Sequence, residues 1–379
     1  MRIIFFLAVA LAFSPVSGDY PTMIQEARNC FETGRFEECD SLLTELRGLK
    51  LKRLQRRKVC TLWLDNTYRS GHHEAFLDAL QSKYVRKNLD RTDYEYWSNV
   101  SRIPPMEVVW PEETERLPLK TIGPQGRSLY GVDVSVNGKP LVGMIDNCWS
   151  DYCGMSTELA EQLGVRPIGK TININGNKKA KAYIGVVDSL SFGGLVVRNV
   201  LVDVSDHVKS VQAQLPFDIV IGGNVLREVG DLVINNEEGT VSFSKETLDI
   251  PRNLSWAYDA HNYYVDGTVD GKPVTLLLDM GATNTHLNKK FLDRFPADSA
   301  YVEGTQTTIM ADRTWKTKVY VIRKAHLAFA GAECEVPDVV IKLEDYGGSR
   351  SEGSVGVDAL LPFKSLVFNA RKLYLQLNR

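Results

Sequence analysis

The amino-acid sequence predicts a mainly β protein in which two similar β-barrel lobes form a pseudodimer, preceded by a small all-α helical domain. Apolar residues recur at helical spacing from residue 20 to about residue 100. After residue 127 the pattern changes to short alternating segments separated by Gly, Asn and Asp turns, which is typical of strands. This second region also contains an internal repeat. The chain therefore changes its structural class once, near residues 103–126.

The composition is that of an ordinary globular protein, with 44% hydrophobic and 24% charged residues among 379. A formal net charge of -2 provides no electrostatic reason to expect nucleic acid or an anionic membrane as a partner. At roughly 150 residues per domain, this length favours two or three domains.

The N-terminus has the pattern of an export signal. Arg2 precedes an apolar run at residues 3–13, Pro15 breaks the run, and the small residues of segment 16–18 suit cleavage. The run is too short to span a bilayer, and no later apolar run is long enough to do so. We predict a signal peptide at residues 1–18 and a secreted or periplasmic protein without a transmembrane segment.

Six cysteines are candidates for disulfides in an exported protein. They lie at positions 30, 39, 60, 148, 153 and 334. A small loop disulfide between Cys148 and Cys153, or a set of free or buried thiols, would each fit the sequence. The spacings match no zinc-binding pattern, and we predict neither a metal nor a cofactor.

Two helix–Gly–helix units are predicted around Gly34 and Gly71. Their separation of 37 residues resembles that of tetratricopeptide-type hairpins, whose period is about 34 residues. A plain helical bundle explains the same pattern, and two units are fewer than a solenoid usually needs. We predict a helical domain at residues 19–102, which could recruit a protein partner.

Five prolines mark a linker at residues 103–126, because repeated prolines disfavour both helix and central strand. They are Pro104, Pro105, Pro111, Pro118 and Pro124. The predicted lobes follow at residues 127–246 and 261–379, with a short linker at 247–260 between them.

The two lobes are related by a duplication. Each contains, in order, a Gly-Lys-Pro turn, an apolar strand ending in Asp, an apolar run containing Gly, and a Leu-Val-x-Asn segment. The second copy follows the first by 133 residues at the first two anchors and by 134 at the last two. The anchors are Gly138 and Gly271, Asp146 and Asp279, Gly222 and Gly356, and Leu232 and Leu366.

Asp146 and Asp279 each stand at the end of an apolar strand, where a carboxylate must be solvated, hydrogen-bonded or paired. If a pseudo-twofold relates the lobes, the two carboxylates meet and share one proton. The ionised member can then take a proton from water while the protonated member donates to a carbonyl oxygen. This arrangement predicts peptide hydrolysis without a covalent intermediate.

The segment Leu-Leu-Leu-Asp-Met-Gly-Ala-Thr at residues 276–283 resembles the Asp-Thr-Gly-Ala-Ser/Thr signature of retropepsin-like and pepsin-like aspartic proteases. Gly353-Ser354-Val355-Gly356 resembles the family's apolar-apolar-Gly segment, which underlies the catalytic loop. The resemblance covers both lobes. It implies an acid-protease-like fold of two six-stranded lobes, each with a hairpin over the cleft. Residues 171–183 and 305–319 take the places of these hairpins.

The resemblance also implies an activity and a site. The activity is that of an aspartic-type endopeptidase, a hydrolase acting on peptides or proteins, with Asp279 and Asp146 as its catalytic pair. The supporting loop residues would be Gly281, Ala282, Thr283, Asn147, Ser150, Gly222 and Gly356. The Gly281 backbone and the Thr283 hydroxyl are candidate donors to Asp279.

The first lobe departs from the signature, because Cys148 replaces its Gly and Trp149 its Ala. If that position needs backbone angles reserved for glycine, Cys148 would be strained. The family's Thr after the Asp bridges the two loops, and here it is Asn147 in one lobe and Met280 in the other. The Asn147 side chain can donate a hydrogen bond, whereas that of Met280 cannot.

Three functional hypotheses follow. The first is an exported single-chain endopeptidase. The second is a catalytically impaired protease-like module that binds peptides, motivated by the altered Asp146 motif. The third is a homodimer whose pair comes from two copies of the second lobe. Of the neighbouring polar residues, His286 is predicted to be structural, and Asn224 and Asp358 to cap helical turns.

Overall fold

The computed structural model describes residues 20–123, 128–168, 171–175, 178–212, 214–257, 262–297, 301–310, 313–343 and 350–379. The chain divides into two compact units. Among the described residues, the first unit contains 20–31 and 35–90, and the second contains 32–34 and those from 91 to 379. The predicted signal peptide lies outside the described residues. Within them, no helix combines the length and the apolar character that a membrane crossing requires.

Helices dominate the chain before residue 101, as predicted. They are α1 (Tyr20–Glu32), α2 (Phe36–Gly48), α3 (Arg53–Arg69), α4 (His73–Gln81), α5 (Lys83–Asn88) and α6 (Arg91–Val100). Gly34 and Gly71 separate the paired helices with φ angles of +67° and +81°, in the left-handed region that suits glycine at a helix end. Both helix–Gly–helix units are therefore present, and their tetratricopeptide interpretation stays a prediction.

The first lobe is built on a closed ring of six strands. Its elements are β1 (Glu107–Val109), β2 (Leu117–Ile122), β3 (Leu129–Val136), β4 (Lys139–Ile145), β5 (Cys153–Met155), α7 (Thr157–Gln162), β6 (Arg166–Pro167), β7 (Thr171–Asn175), β8 (Lys178–Phe192), β9 (Leu195–Ser205), α8 (Asp206–Gln212), β10 (Ile219–Ile221), α9 (Gly223–Glu228), β11 (Asp231–Asn235) and β12 (Thr240–Ser244). The ring runs β3–β4–β10–β5–β9–β8 and closes through the pairing of β8 with β3.

The second lobe repeats this ring. Its elements are β13 (Leu254–Ala257), β14 (Asn262–Val269), β15 (Lys272–Leu278), β16 (His286–Leu287), α10 (Lys289–Arg294), β17 (Val302–Met310), β18 (Arg313–Phe329), β19 (Ala332–Lys342), β20 (Gly353–Val355), a 3-10 helix (Val357–Ala359), β21 (Ser365–Asn369) and β22 (Tyr374–Asn378). The ring runs β14–β15–β20–β16–β19–β18 and closes between β18 and β14. The prediction of two six-stranded β lobes is confirmed.

A shared sheet joins the two lobes through the last pair of sequence anchors. Strand β11 of the first lobe pairs antiparallel with β21 of the second, so that Leu232 lies opposite Phe368. The buried Asn369 amide donates to the Asp231 carboxylate at 2.6 Å across this junction. The repeated Leu-Val-x-Asn segments therefore hold the lobes together.

The proline-rich segment is more regular than a linker, because it contains β1 and β2. Strand β1 pairs with β9, and β2 pairs with β3 and β12. Pro118 is compatible with β2 because it precedes residues 119–122, which pair with β3, and its missing N–H does not interrupt that ladder.

Both predicted cleft hairpins form as antiparallel strand pairs. In the first lobe Thr171 lies opposite Ala182 on β7 and β8, and in the second Val302 lies opposite Val321 on β17 and β18. Residues 176–177 and 311–312, between the paired strands, lie outside the described residues. That these hairpins cover the cleft remains a prediction.

The alternative of a loop disulfide between Cys148 and Cys153 is wrong. All six cysteines lie in the described part of the chain, and none of them forms a disulfide. The Cys153 thiol instead donates to the Asn224 side-chain oxygen at 3.6 Å.

Candidate active site

The two aspartates emerge from equivalent strand pairs. In each lobe the strand that ends before the Asp runs parallel to the strand that ends before the Gly, β4 beside β10 and β15 beside β20. The Asp146 N–H donates to Ile221 at 3.1 Å, and the Asp279 N–H donates to Val355 at 3.0 Å. The duplication therefore places each Asp beside the Gly of its own lobe.

Gly222 and Gly356 are required by close approach of the backbone. A Cβ atom at Gly222 would lie 2.0 Å from the Tyr152 carbonyl oxygen, and one at Gly356 would lie 2.5 Å from the Asn284 carbonyl carbon. Neither glycine has a left-handed φ. Each one packs closely against the loop that follows the Asp of its own lobe.

The two loops meet at Gly281. A Cβ atom there would lie 2.2 Å from Asp146 Oδ2, so the Asp146 carboxylate packs directly on the loop that follows Asp279. The structure thus brings Asp146 and Asp279 into one site. The expectation of glycine-only backbone angles was wrong, because neither Gly281 nor Cys148 has a positive φ. Glycine is needed at residue 281 for space.

Each carboxylate accepts a hydrogen bond from its own loop. The Cys148 N–H donates to Asp146 Oδ1 at 2.8 Å, and the Gly281 N–H donates to Asp279 Oδ1 at 3.0 Å. The two bonds occupy equivalent positions of the two loops. The replacement of glycine by Cys148 therefore preserves the backbone donor.

Burial raises the pKa of both carboxyl groups. The pKa of Asp146 rises to about 7, since the negative charge of Asp279 adds to the effect of burial. Burial also raises the pKa of Asp279, to about 6. The N–H groups of Gly281 and Ala282 and the charge of Lys342 oppose this increase, because they favour the ionised carboxylate. The two carboxyl groups titrate as one coupled pair, which keeps a proton to higher pH than ordinary aspartates do.

Asn147 bridges the two loops with a single side chain. Its amide donates to the Leu278 carbonyl at 2.7 Å, and its oxygen accepts from the Met280 N–H at 2.8 Å. Asn147 is fully buried, and Met280 is 1% exposed. The two hydroxyl bonds expected from a pair of threonines are thus replaced by both hydrogen bonds of one amide.

We expect Asn147→Ala to lower the free energy of unfolding by about 2–4 kcal/mol, because it leaves a buried carbonyl and a buried N–H without this partner. Urea unfolding measures the change. Asn378→Ala is the matched control, since it removes a partly buried amide that bonds only near the C-terminal strand. Equal losses in the two variants would contradict the bridging role.

The first-lobe loop accommodates its unusual residues in two ways. The Cys148 thiol donates to the Leu278 carbonyl at 3.0 Å, and burial raises the pKa of this thiol well above its ordinary value. The Trp149 indole covers Gly154, where a Cβ would lie 2.3 Å from Trp149 Nε1. The large residue fits because its neighbour has no side chain.

The loop hydroxyls of Ser150 and Thr283 do not hold the carboxylates. Ser150 donates to the Tyr152 carbonyl and also accepts from the Tyr152 N–H, at 2.9 and 3.0 Å. Thr283 donates to the Asn284 side chain at 2.9 Å. The expectation that the Thr283 hydroxyl donates to Asp279 was wrong, and the donors that the loop gives to this carboxylate are the backbone N–H groups of Gly281 and Ala282.

Asn224 bonds to strand β9 and Asp358 bonds to Thr285, and neither residue stands at the cap position of a helical turn. Asn224 donates to the Leu201 carbonyl at 2.8 Å. Asp358 accepts from both the N–H and the hydroxyl of Thr285, at 2.8 and 2.6 Å. The predicted capping roles were wrong, since the cap positions before α9 and the 3-10 helix are held by Gly222 and Gly356.

Three residues near the site were given no catalytic role from the sequence, and His286 was predicted to be structural. His286 bonds to the Ser354 hydroxyl at 2.8 Å, and burial followed by the charge of Lys342 lowers its pKa to about 3, so it is neutral. Lys342 ends β19 and influences the charge of Asp279. Tyr96 of α6 forms a hydroxyl hydrogen bond with Tyr152 in the first loop. No motif marks Lys342 or Tyr96 in the sequence.

The residues described by the structure contain no cluster of His, Cys, Asp or Glu that could hold a metal ion. The chemistry available to this arrangement is proton transfer by two carboxyl groups.

Residues 132–225 and 265–359 each match a family model described as "Aspartyl protease". A retropepsin-like aspartic protease from Rickettsia conorii is 14% identical with a TM-score of 0.25, covering 37% of this chain and 92% of its own. Basic 7S globulin from soybean is 12% identical with a TM-score of 0.43, and the match covers 72% of this chain and 96% of that protein. Conglutin gamma from lupine seeds is 10% identical with a TM-score of 0.43, and the match covers 70% of this chain and 95% of that protein. No curated protein matches significantly.

Proposed function

Because the chain belongs to the aspartyl protease family, we propose that it is an aspartic-type endopeptidase that hydrolyses peptide bonds with Asp146, Asp279 and an activated water. One observation carries the proposal, which is the contact between the Asp146 carboxylate and Gly281 on the Asp279 loop. The apolar run and cleavage pattern of residues 1–18 support export to the periplasm or the cell exterior.

In the proposed mechanism Asp279 is the ionised member, since the charge of Lys342 favours its ionised form, whereas backbone N–H groups act on both carboxylates. Asp279 takes a proton from a water molecule, whose oxygen attacks the peptide carbonyl carbon. Asp146 donates its proton to the carbonyl oxygen, and a neutral diol forms. Asp279 then protonates the amide nitrogen as the C–N bond breaks. A diol hydroxyl returns its proton to Asp146, which restores the starting state.

We propose that one chain suffices for activity, since Asp146 and Gly281 already meet within it. The alternative of a homodimer built from two second lobes predicts that a monomer is inactive. Sizing chromatography of the active species separates these two cases. Recruitment of a protein partner by the N-terminal helices stays a further proposal.

Mapping of cleavage in a peptide library by mass spectrometry tests the function, with and without a statine-containing inhibitor that mimics the diol. We expect cleavage that the inhibitor abolishes. Cleavage that is insensitive to the inhibitor but blocked by a serine- or metal-directed reagent would overturn the proposal.

The pH–rate profile should peak at mild acidity. The singly protonated pair is the active form, and burial raises the pKa of both members above the ordinary aspartate value. We expect kcat/KM to rise as pH increases towards about 6 and to fall above about 7. Measurement with one peptide between pH 3 and 9 gives the profile. A maximum only below pH 4 would contradict the assignment.

The second candidate is a module that binds peptides without cutting them. It is favoured by Cys148, whose side chain stands in the glycine position beside both carboxylates and holds the Leu278 carbonyl. Peptide binding without any cleavage, unchanged by Asp279→Asn, would support this candidate. Cleavage that is lost in Asp279→Asn would eliminate it.

A further inference from the structure

Positive charge is concentrated at the start of α3, although the whole chain has a formal net charge of -2. Residues 50–58 contain six basic side chains and no acidic one. They are Lys50, Lys52, Arg53, Arg56, Arg57 and Lys58. Five of the six are exposed, and Arg56 is half-buried. All belong to the first compact unit. This segment therefore presents a dense positive charge to the solvent.

The end of α5 extends this charge. The two helices are joined side by side, because the Arg56 guanidinium donates to the Asn88 side-chain oxygen at 3.0 Å. Arg86 and Lys87 precede Asn88 on α5, and both are exposed. We call these two residues, together with the six basic residues of segment 50–58, the basic surface.

Leu54 is an exposed apolar side chain inside the basic surface. It is 67% exposed. Residues three and four apart are neighbours on a helix, so Arg57 and Lys58 flank Leu54 on the outside of α3. Asp90 forms an ion pair with Arg57, and this one carboxylate leaves the surface strongly positive. An apolar side chain bordered by cations suits a partner with an apolar layer beneath a negatively charged surface.

The charge of these residues does not stabilise α3 itself. The helix begins with Arg53 and has no acidic residue in its first turn, where the positive end of the helix dipole makes cations unfavourable. Near the other end of α3, Asn66 donates to the Phe36 carbonyl at 3.1 Å, which places the acidic first turn of α2 away from the basic surface. We therefore attribute the concentration of positive charge to a binding partner.

We propose that the basic surface binds an anionic membrane surface, with its cations at the lipid phosphates and Leu54 entering the outer apolar layer. A protein interface is usually depleted in lysine and centred on several apolar or aromatic anchors. This surface contains four lysines, and Leu54 is the one large apolar side chain that is exposed among the described residues of the first unit. Export, proposed above from residues 1–18, would bring the chain to a membrane. The proposal is independent of peptide hydrolysis.

Flotation of the full chain with lipid vesicles tests the proposal. One set of vesicles contains equal parts of phosphatidylcholine and anionic phosphatidylglycerol, and the other contains phosphatidylcholine alone. The neutral set measures any binding that the apolar run at residues 3–13 contributes. We expect the affinity for the anionic set to be about 100-fold higher or more, and this excess to disappear at high ionic strength, because salt screens exposed charges.

Two variants separate the contribution of charge from that of insertion. Arg53→Glu/Lys58→Glu reverses two exposed charges of the basic surface, and we expect it to bind anionic vesicles about 30-fold more weakly. Glutamate in the first turn suits the helix dipole, so this variant should keep α3 intact, which circular dichroism checks. Leu54→Ser retains every charge and should weaken binding about fivefold.

Lys245→Glu/Lys372→Glu is the matched control, because it changes the net charge equally at two exposed lysines of the second unit. It should bind both sets of vesicles as the natural protein does. Equal affinity for the two sets, or an Arg53→Glu/Lys58→Glu protein that binds like this control, would overturn the proposal. Unchanged binding by Leu54→Ser, or tighter binding of soluble polyglutamate than of anionic vesicles, would also overturn it, in favour of an acidic protein partner.

Discussion

Asp146→Asn and Asp279→Asn are each expected to lower kcat by about 10³-fold, because each removes one of the two proton-transfer groups. Asparagine has nearly the same shape as aspartate, and its oxygen can still accept the N–H of Cys148 or of Gly281. The loop geometry should therefore persist while the chemistry is lost. Steady-state kinetics on one mapped peptide measures both variants beside the unchanged protein.

Stability provides an independent check that these variants fold. The folded-state pKa of both carboxyl groups lies above the unfolded value, so the folded protein binds more protons between about pH 4 and pH 7. Stability conferred by this pair is therefore present at low pH and is lost as pH rises through that range. Asparagine does not ionise, so Asp146→Asn removes this loss.

We expect the Asp146→Asn protein to be more stable than the unchanged protein at pH 7.5 by on the order of 2 kcal/mol, or about 2–3 °C in Tm. The difference should shrink at pH 4. An inactive variant that is less stable at both pH values would indicate misfolding. Full activity in Asp146→Asn with inactive Asp279→Asn would show that the first lobe takes no part in catalysis.

Gly281→Ala is expected to reduce activity at least 10²-fold, because a Cβ atom would occupy the space of the Asp146 carboxylate, 2.2 Å away. One of the two loops must shift, and Asn147 must then lose or stretch its bridge to Leu278 and Met280. Displacement of a buried, hydrogen-bonded loop should also cost about 1–3 kcal/mol of stability. Peptide kinetics and urea unfolding measure the two effects.

Gly304→Ala is the matched control in the same lobe. A Cβ at Gly304 would meet Val321 at 3.5 Å, an ordinary contact, and its φ is not left-handed. This variant should retain both activity and stability. If Gly281→Ala behaves like Gly304→Ala, the two loops do not pack as closely as described.

Much of the fold could be predicted because it was encoded twice. Each anchor residue appears in both halves, and a constant offset between matching residues reveals the duplication without any structure. The alternating apolar segments predicted strands for the same reason, since burial on one face imposes a period of two residues. The strands inside the proline-rich segment were missed because pairing of β1 with β9, and of β2 with β3 and β12, overrides the local preference of proline.

Residues that act through long-range contacts could not be predicted in the same way. Asn147 was recognised as a donor, but its use of both amide groups depends on two backbone atoms of the other lobe. Cys148 was expected to be strained, and the backbone proved ordinary there. Thr283 was assigned to the wrong acceptor, because a hydroxyl has several partners within reach and only the folded loop selects one.

The sequence by itself determined the class of the fold, the duplication and the pair of aspartates, because these depend on periodic burial and on residues repeated along one chain. Only the tertiary structure decided which groups surround that pair. Lys342 comes from a strand of the second-lobe ring, far from Asp279 along the chain, and its effect on Asp279 follows from proximity in a buried environment. Electrostatic interaction depends on distance in space and on local burial, and neither can be read from position along the chain.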